Sequence, residues 1–216
     1  MPVPSQTQSH LRHPLTGLLG SAGSVRVLRA LTDYRAPQSA PQLAATAGLT
    51  PQGTRGVLDG LVRQRLVKAH GSGRAQLYEL NAAHPLASSL ASLFQDEQRR
   101  WDGLLSSIRE VLERQGAAVS AAWLYGSVAR GEDSPASDLD IALVVRSQAL
   151  ADRIRRELMP LEDAQQIRIS LTALTAKEFA AMPKGDPWWA NVVRDGRVLK
   201  GAAPEQARRR AARVAA

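Results

Sequence analysis

Leu124-Tyr-Gly-Ser-Val-Ala-Arg-Gly-Glu-Asp-Ser-Pro-Ala-Ser-Asp-Leu-Asp-Ile141 decides how the C-terminal half of this chain is read. The run leading into it, Val119 to Tyr125, is apolar and β-prone, and Ile141 to Val145 reads as a second short strand. Between them Gly126 permits a sharp turn, so that Ser127 and the following backbone N–H groups open a short helix whose N-terminus favours an anion. Gly131 suits the left-handed end of that helix. Arg130 is placed either to pair with a carboxylate or to reach a phosphate oxygen. Asp138 and Asp140 stand two apart on the second strand, which puts both carboxylates on one face. Two hard oxygen donors beside a phosphate cradle are what a magnesium ion carrying nucleotide phosphates requires.

In order and spacing these residues resemble the signature of the polymerase-beta-like nucleotidyltransferase superfamily: Gly126-Ser127, then Arg130-Gly131, then Ser137-Asp138-x-Asp140 at the start of a strand. The small bacterial members, the minimal nucleotidyltransferases, are the most similar. The resemblance covers residues 124–145 closely and about 115–201 by element order. It implies a mixed sheet with helices on one side. It also implies Gly126 and Ser127 holding a triphosphate, Arg130 and Ser137 as further nucleotide-binding residues, and Asp138 and Asp140 as catalytic carboxylates that bind Mg2+ or Mn2+. The implied reaction transfers a nucleoside monophosphate from a nucleoside triphosphate to an acceptor hydroxyl, pyrophosphate leaving. In such chemistry the cation offsets charge building on the phosphate oxygens, and positioning carries most of the rate.

One departure bears on turnover. Superfamily members that catalyse transfer usually carry a third carboxylate on a later strand, where it completes the metal site and helps deprotonate the acceptor. Here that strand is expected at Gln166 to Leu174, with Ile167, Ile169 and Leu171 on one face and Arg168, Ser170 and Thr172 on the other. It holds no acid, and Glu162 and Asp163 precede it by several residues.

Composition bounds the rest. The 216 residues suffice for one large or two small domains. There is no cysteine, which excludes disulfides and thiolate metal sites, and His10, His13, His70 and His84 are too scattered for a zinc site. No apolar stretch approaches a membrane-spanning length and no leader-like segment opens the sequence, so a cytoplasmic protein without membrane contact is the expectation. The formal net charge of +8 favours a polyanionic partner. Most of the excess lies early: in the first eighty residues nine basic side chains against three acidic ones leave +6.

That early part has its own pattern. Val25, Leu28 and Leu31 predict a helix over Ser24 to Tyr34, and Ser39 to Gly48 predicts a second with an N-cap, an early proline and a terminal glycine. Thr50-Pro51 caps a third, with Val57, Leu58, Leu61 and Val62 as its buried face. Leu66 to His70 and Arg74 to Leu80 flank Gly71-Ser72-Gly73 as a hairpin. Three helices and a hairpin resemble a winged helix-turn-helix of the bacterial transcription-regulator type. This resemblance implies double-stranded DNA as a partner, with Gln52, Thr54 and Arg55 at the exposed leading edge of the third helix. Arg74 on the wing and Arg63 or Arg65 would touch phosphates. The alternative is a small helical domain used for protein contacts.

Leu90, Phe94, Trp101, Leu104, Ile108 and Val111 form a stripe, broken once by Glu97, that predicts a long helix over Leu86 to Gln115. Its partner is either a twin helix in a homodimer or the sheet of the same chain. Further on, Ala149 to Leu158 reads as a helix ended by Pro160, and Thr175-Ala-Lys-Glu178 as a capping box. Trp188 and Trp189 read as core or cleft lining at a helix start, and the Arg208 to Arg213 region as a solvated, fraying helix.

The expected fold class is α+β: a winged helix-turn-helix over 14–82, a linking helix over 83–115, a nucleotidyltransferase-type mixed sheet over 116–201 and a basic tail over 202–216. The leading functional expectation is Mg-dependent nucleotidyl transfer, with a protein hydroxyl as one candidate acceptor, coupled to DNA binding. A second is a transcription regulator whose transferase-like domain binds nucleotide without catalysis. A third is an antitoxin-like protein whose transferase domain acts on a toxin-like partner.

Overall fold

The computed structural model describes residues 13–34, 36–183 and 185–215, without the side chains of Arg74 and 212–215. Two compact units divide between Arg99 and Arg100. The first holds α1 (Leu15–Leu19), α2 (Ala22–Asp33), β1 (Gln38–Ser39), α3 (Ala40–Ala47), α4 (Pro51–Arg63), β2 (Val67–His70), β3 (Leu77–Leu80) and the start of α5 (Ala87–Arg114). Its local signals act as expected. The Ser21 hydroxyl accepts from Ser24 N and starts α2 two residues before the expected point. Ser39 and Gln42 close a capping box, Gly48 ends α3 in the left-handed region, and Thr50 with Pro51 opens α4. The antiparallel strands run β1-β3-β2, adding a short third strand to the expected hairpin. Leu28, Leu31, Leu43, Leu58, Leu61 and Tyr78 form the core, joined by Leu90 and Phe94 of α5.

Thr54 departs from expectation. It is fully buried, and its hydroxyl donates to the Thr50 carbonyl oxygen at 3.0 Å. Residues 54, 58 and 61 share one helical face, so Thr54 points with Leu58 and Leu61 into the core rather than toward DNA. Glu97, where the α5 stripe breaks, forms a two-pronged ion pair with Arg29.

The second unit takes the remainder of α5, then β4 (Val119–Tyr125), α6 (Gly126–Arg130), β5 (Leu139–Val145), α7 (Gln148–Gln165), β6 (Ile169–Thr175), α8 (Ala176–Ala181), α9 (Pro187–Asp195), β7 (Arg197–Lys200) and α10 (Pro204–Ala215). The sheet order is β6-β5-β4-β7; β5 and β6 run parallel and the other pairs antiparallel. Ile141, Leu143 and Val145 face the layer that holds Leu104, Ile108 and Leu112 of α5 with Ile154 and Leu158 of α7. The intervening Ala142 and Val144 lie with Trp123, Phe179, Trp189 and Val192 in an aromatic layer. Helices therefore cover both faces, not one, because β4 and β5 are apolar on both.

Two helix expectations are corrected. α7 continues through Pro160, because its buried stripe of Ala151, Ile154 and Leu158 extends to Leu161, and packing offsets the one backbone bond that proline removes. α10 is docked rather than solvated: Ala207 and Ala211 pack on the aromatic layer, and Arg208 donates to the Met182 and Pro183 carbonyls and stacks on Trp189.

Trp123 anchors that layer. It is fully buried, makes ring contacts with Phe179 and Trp189, and donates its indole N–H to the Ala202 carbonyl at 2.9 Å. Trp123→Ala is expected to lower unfolding free energy by about 3–5 kcal/mol, checked by urea titration.

Candidate functional site

The site lies where β4 turns into α6. Gly126 has φ +80, and a Cβ there would stand 2.4 Å from Asp140 Oδ2, so only glycine permits this turn beside this carboxylate. Tyr125 pairs with Asp140 across β4 and β5. Asp138, Asp140 and Ser127 are half-buried, and Gly131 ends α6 at φ +72 as the sequence predicted. Burial pushes the Asp140 carboxyl above its ordinary value; a hydrogen bond from the Ser170 hydroxyl opposes this and the negative Asp138 adds to it.

β6 supplies the neighbouring rung. Ser170 pairs directly with Asp140, so the strand expected to bring a third acid brings a hydroxyl instead. Glu162 stays in α7, where its carboxylate accepts from Ile169 N at 2.6 Å and organises the entry to β6. One residue before β6, Arg168 Nε stands 2.9 Å from Asp138 Oδ1. That oxygen is shut off from solvent and receives no aligned hydrogen bond. Composition could not disclose this pair, because it depends on the parallel register. Thr172, Tyr125 and Trp188 form a second polar set: the Tyr125 hydroxyl lies 3.2 Å from the Thr172 hydroxyl and accepts from the Trp188 indole N–H at 2.9 Å.

Arg130 and Ser137 are engaged elsewhere. Arg130 takes the carboxylate-pairing option: its guanidinium donates to Glu132 at 2.7 Å and to Asp195 at 2.6 Å, joining α6 to α9 instead of reaching for a phosphate. The Ser137 hydroxyl accepts from Ser134 N at 2.9 Å and so shapes the loop ahead of Asp138. A cavity of about 730 Å3, lined by Ser120, Val144, Phe179, Ala180, Ala207 and Ala211, opens at the other end of β4 and β5 and contains neither aspartate. Among the described residues no cluster of three or more histidine or acidic side chains is suited to a metal.

On the N-terminal unit, Gln52, Arg55 and Arg63 are exposed along α4 and Thr54 is not. Arg65 is exposed with φ +60, and Arg74 lies in the 73–75 turn, its side chain outside what the structure describes.

The glycine turn and the carboxylate pair lie inside the part of the chain that matches a known family. Residues 106–182 match the family described as polymerase beta, nucleotidyltransferase. Comparison with curated proteins gives no match. Among solved structures, a chain from a crystal structure of a toxin-antitoxin with AMP-PNP is 16% identical, the alignment covering 51% of this chain and 86% of that one, with a TM-score of 0.36. A crystal structure of the AntR antimony-specific transcriptional repressor is 21% identical over 48% of this chain and 97% of that one, with a TM-score of 0.37.

Gly126→Ala is expected to force Asp140 aside and lower the melting temperature, as read by calorimetry. A second expectation concerns acid. Hydrogen bonds from Arg194 first, and from Arg130 against the opposing effect of burial, hold the Asp195 carboxyl at about 2, below its ordinary 3.8. A depressed carboxyl stabilises the fold fully above the unfolded value and loses that contribution as pH falls through the folded one. Stability should therefore decline between about pH 4 and pH 2, and Asp195→Asn should flatten that part of a urea-midpoint profile.

Proposed function

We propose that this protein is a DNA-binding regulator whose C-terminal unit binds a nucleoside triphosphate together with a divalent cation, Mg2+ or Mn2+, as a signal. The observation that carries the reading is the rung at Asp140: Asp138 lies near enough to repel its charge, and the position paired with Asp140 on β6 holds Ser170. The donor set fits one cation. Asp138 Oδ1 is shut off from solvent with only the unaligned Arg168 guanidinium against it, and Asp140 is destabilised as an anion by its burial. Asp138 and Asp140 would hold the cation, which supplies charge neutralisation for the phosphate oxygens. Ser127 and the backbone beyond the Gly126 turn would receive the phosphates. Ser170 positions Asp140 through its hydroxyl but is no base at neutral pH, so with Asp138 and Asp140 holding the cation an acceptor hydroxyl would find no further carboxylate on β6 to take its proton.

The second reading is nucleotidyl transfer to an acceptor hydroxyl, with a protein as one candidate acceptor. The family match over 106–182 and the Asp138, Asp140 pair favour it. The two readings part on one experiment: purified protein with Mg2+ and each α-labelled nucleoside triphosphate, with and without cell extract. Binding without label transfer supports the sensor, and transfer abolished in Asp138→Asn and Asp140→Asn replaces it with the transferase. Nucleotide binding that both variants retain in full would remove the site altogether.

Double-stranded DNA is the partner proposed for the N-terminal unit, through the exposed Gln52, Arg55 and Arg63 with Arg74 from the wing. Arg55→Ala is expected to weaken specific DNA affinity about 10- to 100-fold in a fluorescence-anisotropy titration. Thr54→Val should leave that affinity unchanged and cost about 1 kcal/mol of stability, through loss of its buried hydrogen bond. Equal loss of affinity in both variants would contradict the docking.

A further inference from the structure

Among the described residues Arg168 is the cation that pairs with Asp138. Its backbone is fixed, because Leu139 N donates to the Arg168 carbonyl at 2.8 Å at the mouth of the parallel pair. Its side chain is three-quarters exposed, and beyond the Asp138 pair its tip makes a long, 3.4 Å hydrogen bond to the Ala136 carbonyl. The guanidinium therefore neutralises Asp138 through a pair whose carboxylate oxygen is covered but whose arginine end stands in solvent, free to turn to another anion. Asp140, on the same face, has no cation partner among the described residues.

A divalent cation that takes Asp138 Oδ1 displaces this guanidinium, and one that takes the carboxylate in any mode is repelled by it at short range. The displaced group gains a new anion only when phosphate oxygens arrive with the cation, and guanidinium forks suit phosphate oxygens well. We propose that Arg168 makes cation and triphosphate binding interdependent: it occupies Asp138 in the free protein and passes to the triphosphate when both ligands bind. Bare cation is thereby resisted and the cation with triphosphate is favoured. Arg168 stands as a positioning and specificity residue, close to the rung where a third carboxylate is missing. The inference rests on the reading of this site as one for a nucleoside triphosphate.

The test measures binding, not turnover. Mn2+ affinity of the nucleotide-free protein is read by electron paramagnetic resonance of free Mn2+. Affinity for each of the four α,β-methylene nucleoside triphosphates is read by calorimetry, with saturating Mn2+ and with EDTA. The unmodified protein should show coupling between the ligands of about 5- to 150-fold, the range expected when two sites share one switching element. Arg168→Gln should bind bare Mn2+ several-fold more tightly, bind nucleotide with Mn2+ about tenfold more weakly and bring the coupling toward one. Arg168→Lys, which keeps the charge but not the fork, should fall between. Circular dichroism melting of both variants should match the unmodified protein, since the side chain is exposed.

If the unmodified protein binds nucleotide with Mn2+ and Arg168→Gln leaves both affinities in place, or weakens both, the exchange is wrong while the nucleotide site stands. If the unmodified protein binds none of the four nucleotides with Mn2+, the nucleotide reading fails and the exchange fails with it.

Discussion

The period of two along β5 is the constraint on which the C-terminal unit depends. Leu139, Ile141, Leu143 and Val145 face α5 and α7, and Ala142 and Val144 face the aromatic layer. Asp140 belongs by parity to the aromatic side, at the end of the strand where that layer thins out beside Tyr125 and Trp188. A carboxylate at this point sits partly out of water yet remains reachable. One residue of slip would exchange the two faces, drive Asp140 against Ile154 and Leu158, and remove the site with the fold. The apolar packing of β5 thus fixes where the charged chemistry can be.

Charge in this region is arranged in two separate accounts. Asp195 is saturated by Arg130 and Arg194, and that cluster fastens α6, which follows the glycine turn, to α9. Asp138 and Asp140 are left short of positive charge, with a single exposed guanidinium between them and solvent. Asp195 is held by two arginines in aligned hydrogen bonds, whereas Asp138 meets one unaligned guanidinium and Asp140 has no cation partner among the described residues. Desolvation first, and the neighbouring Asp138 after it, raise the energy of the Asp140 anion, and an added cation would relieve that.

Much of this was legible in sequence because it rests on local spacing. Gly126-Ser127 and Asp138-x-Asp140 declare turn and face within fifteen residues, and Ser39, Gly48 and Thr50 mark helix ends by their own side chains or backbone freedom. What was missed depends on phase or on distant pairing. Thr54 was placed outward from its polarity, whereas helical phase puts it one turn from Leu58. Pro160 was read as a stop, because the packing of Leu161 that carries the helix past it is tertiary. β7 has four residues with charged ends and no clear alternation, so only its ladder with β4 identifies it. The partner of Arg130 comes from α9, sixty-five residues away.

The pairing of β4 with β7 also governs when this unit can be completed on the ribosome. Trp123 meets Val198 across the ladder, and Ala207, Arg208 and Ala211 of α10 close the aromatic layer over Trp189. None of these partners exists while β4, β5 and β6 are being made, although α7 can already cover the opposite face. Trp123 must therefore wait for its β7 partner until Val198, 75 residues further along the chain, has emerged. A slowly translated chain would present that aromatic surface to chaperones for longer, so synthesis rate as well as equilibrium stability bears on its yield.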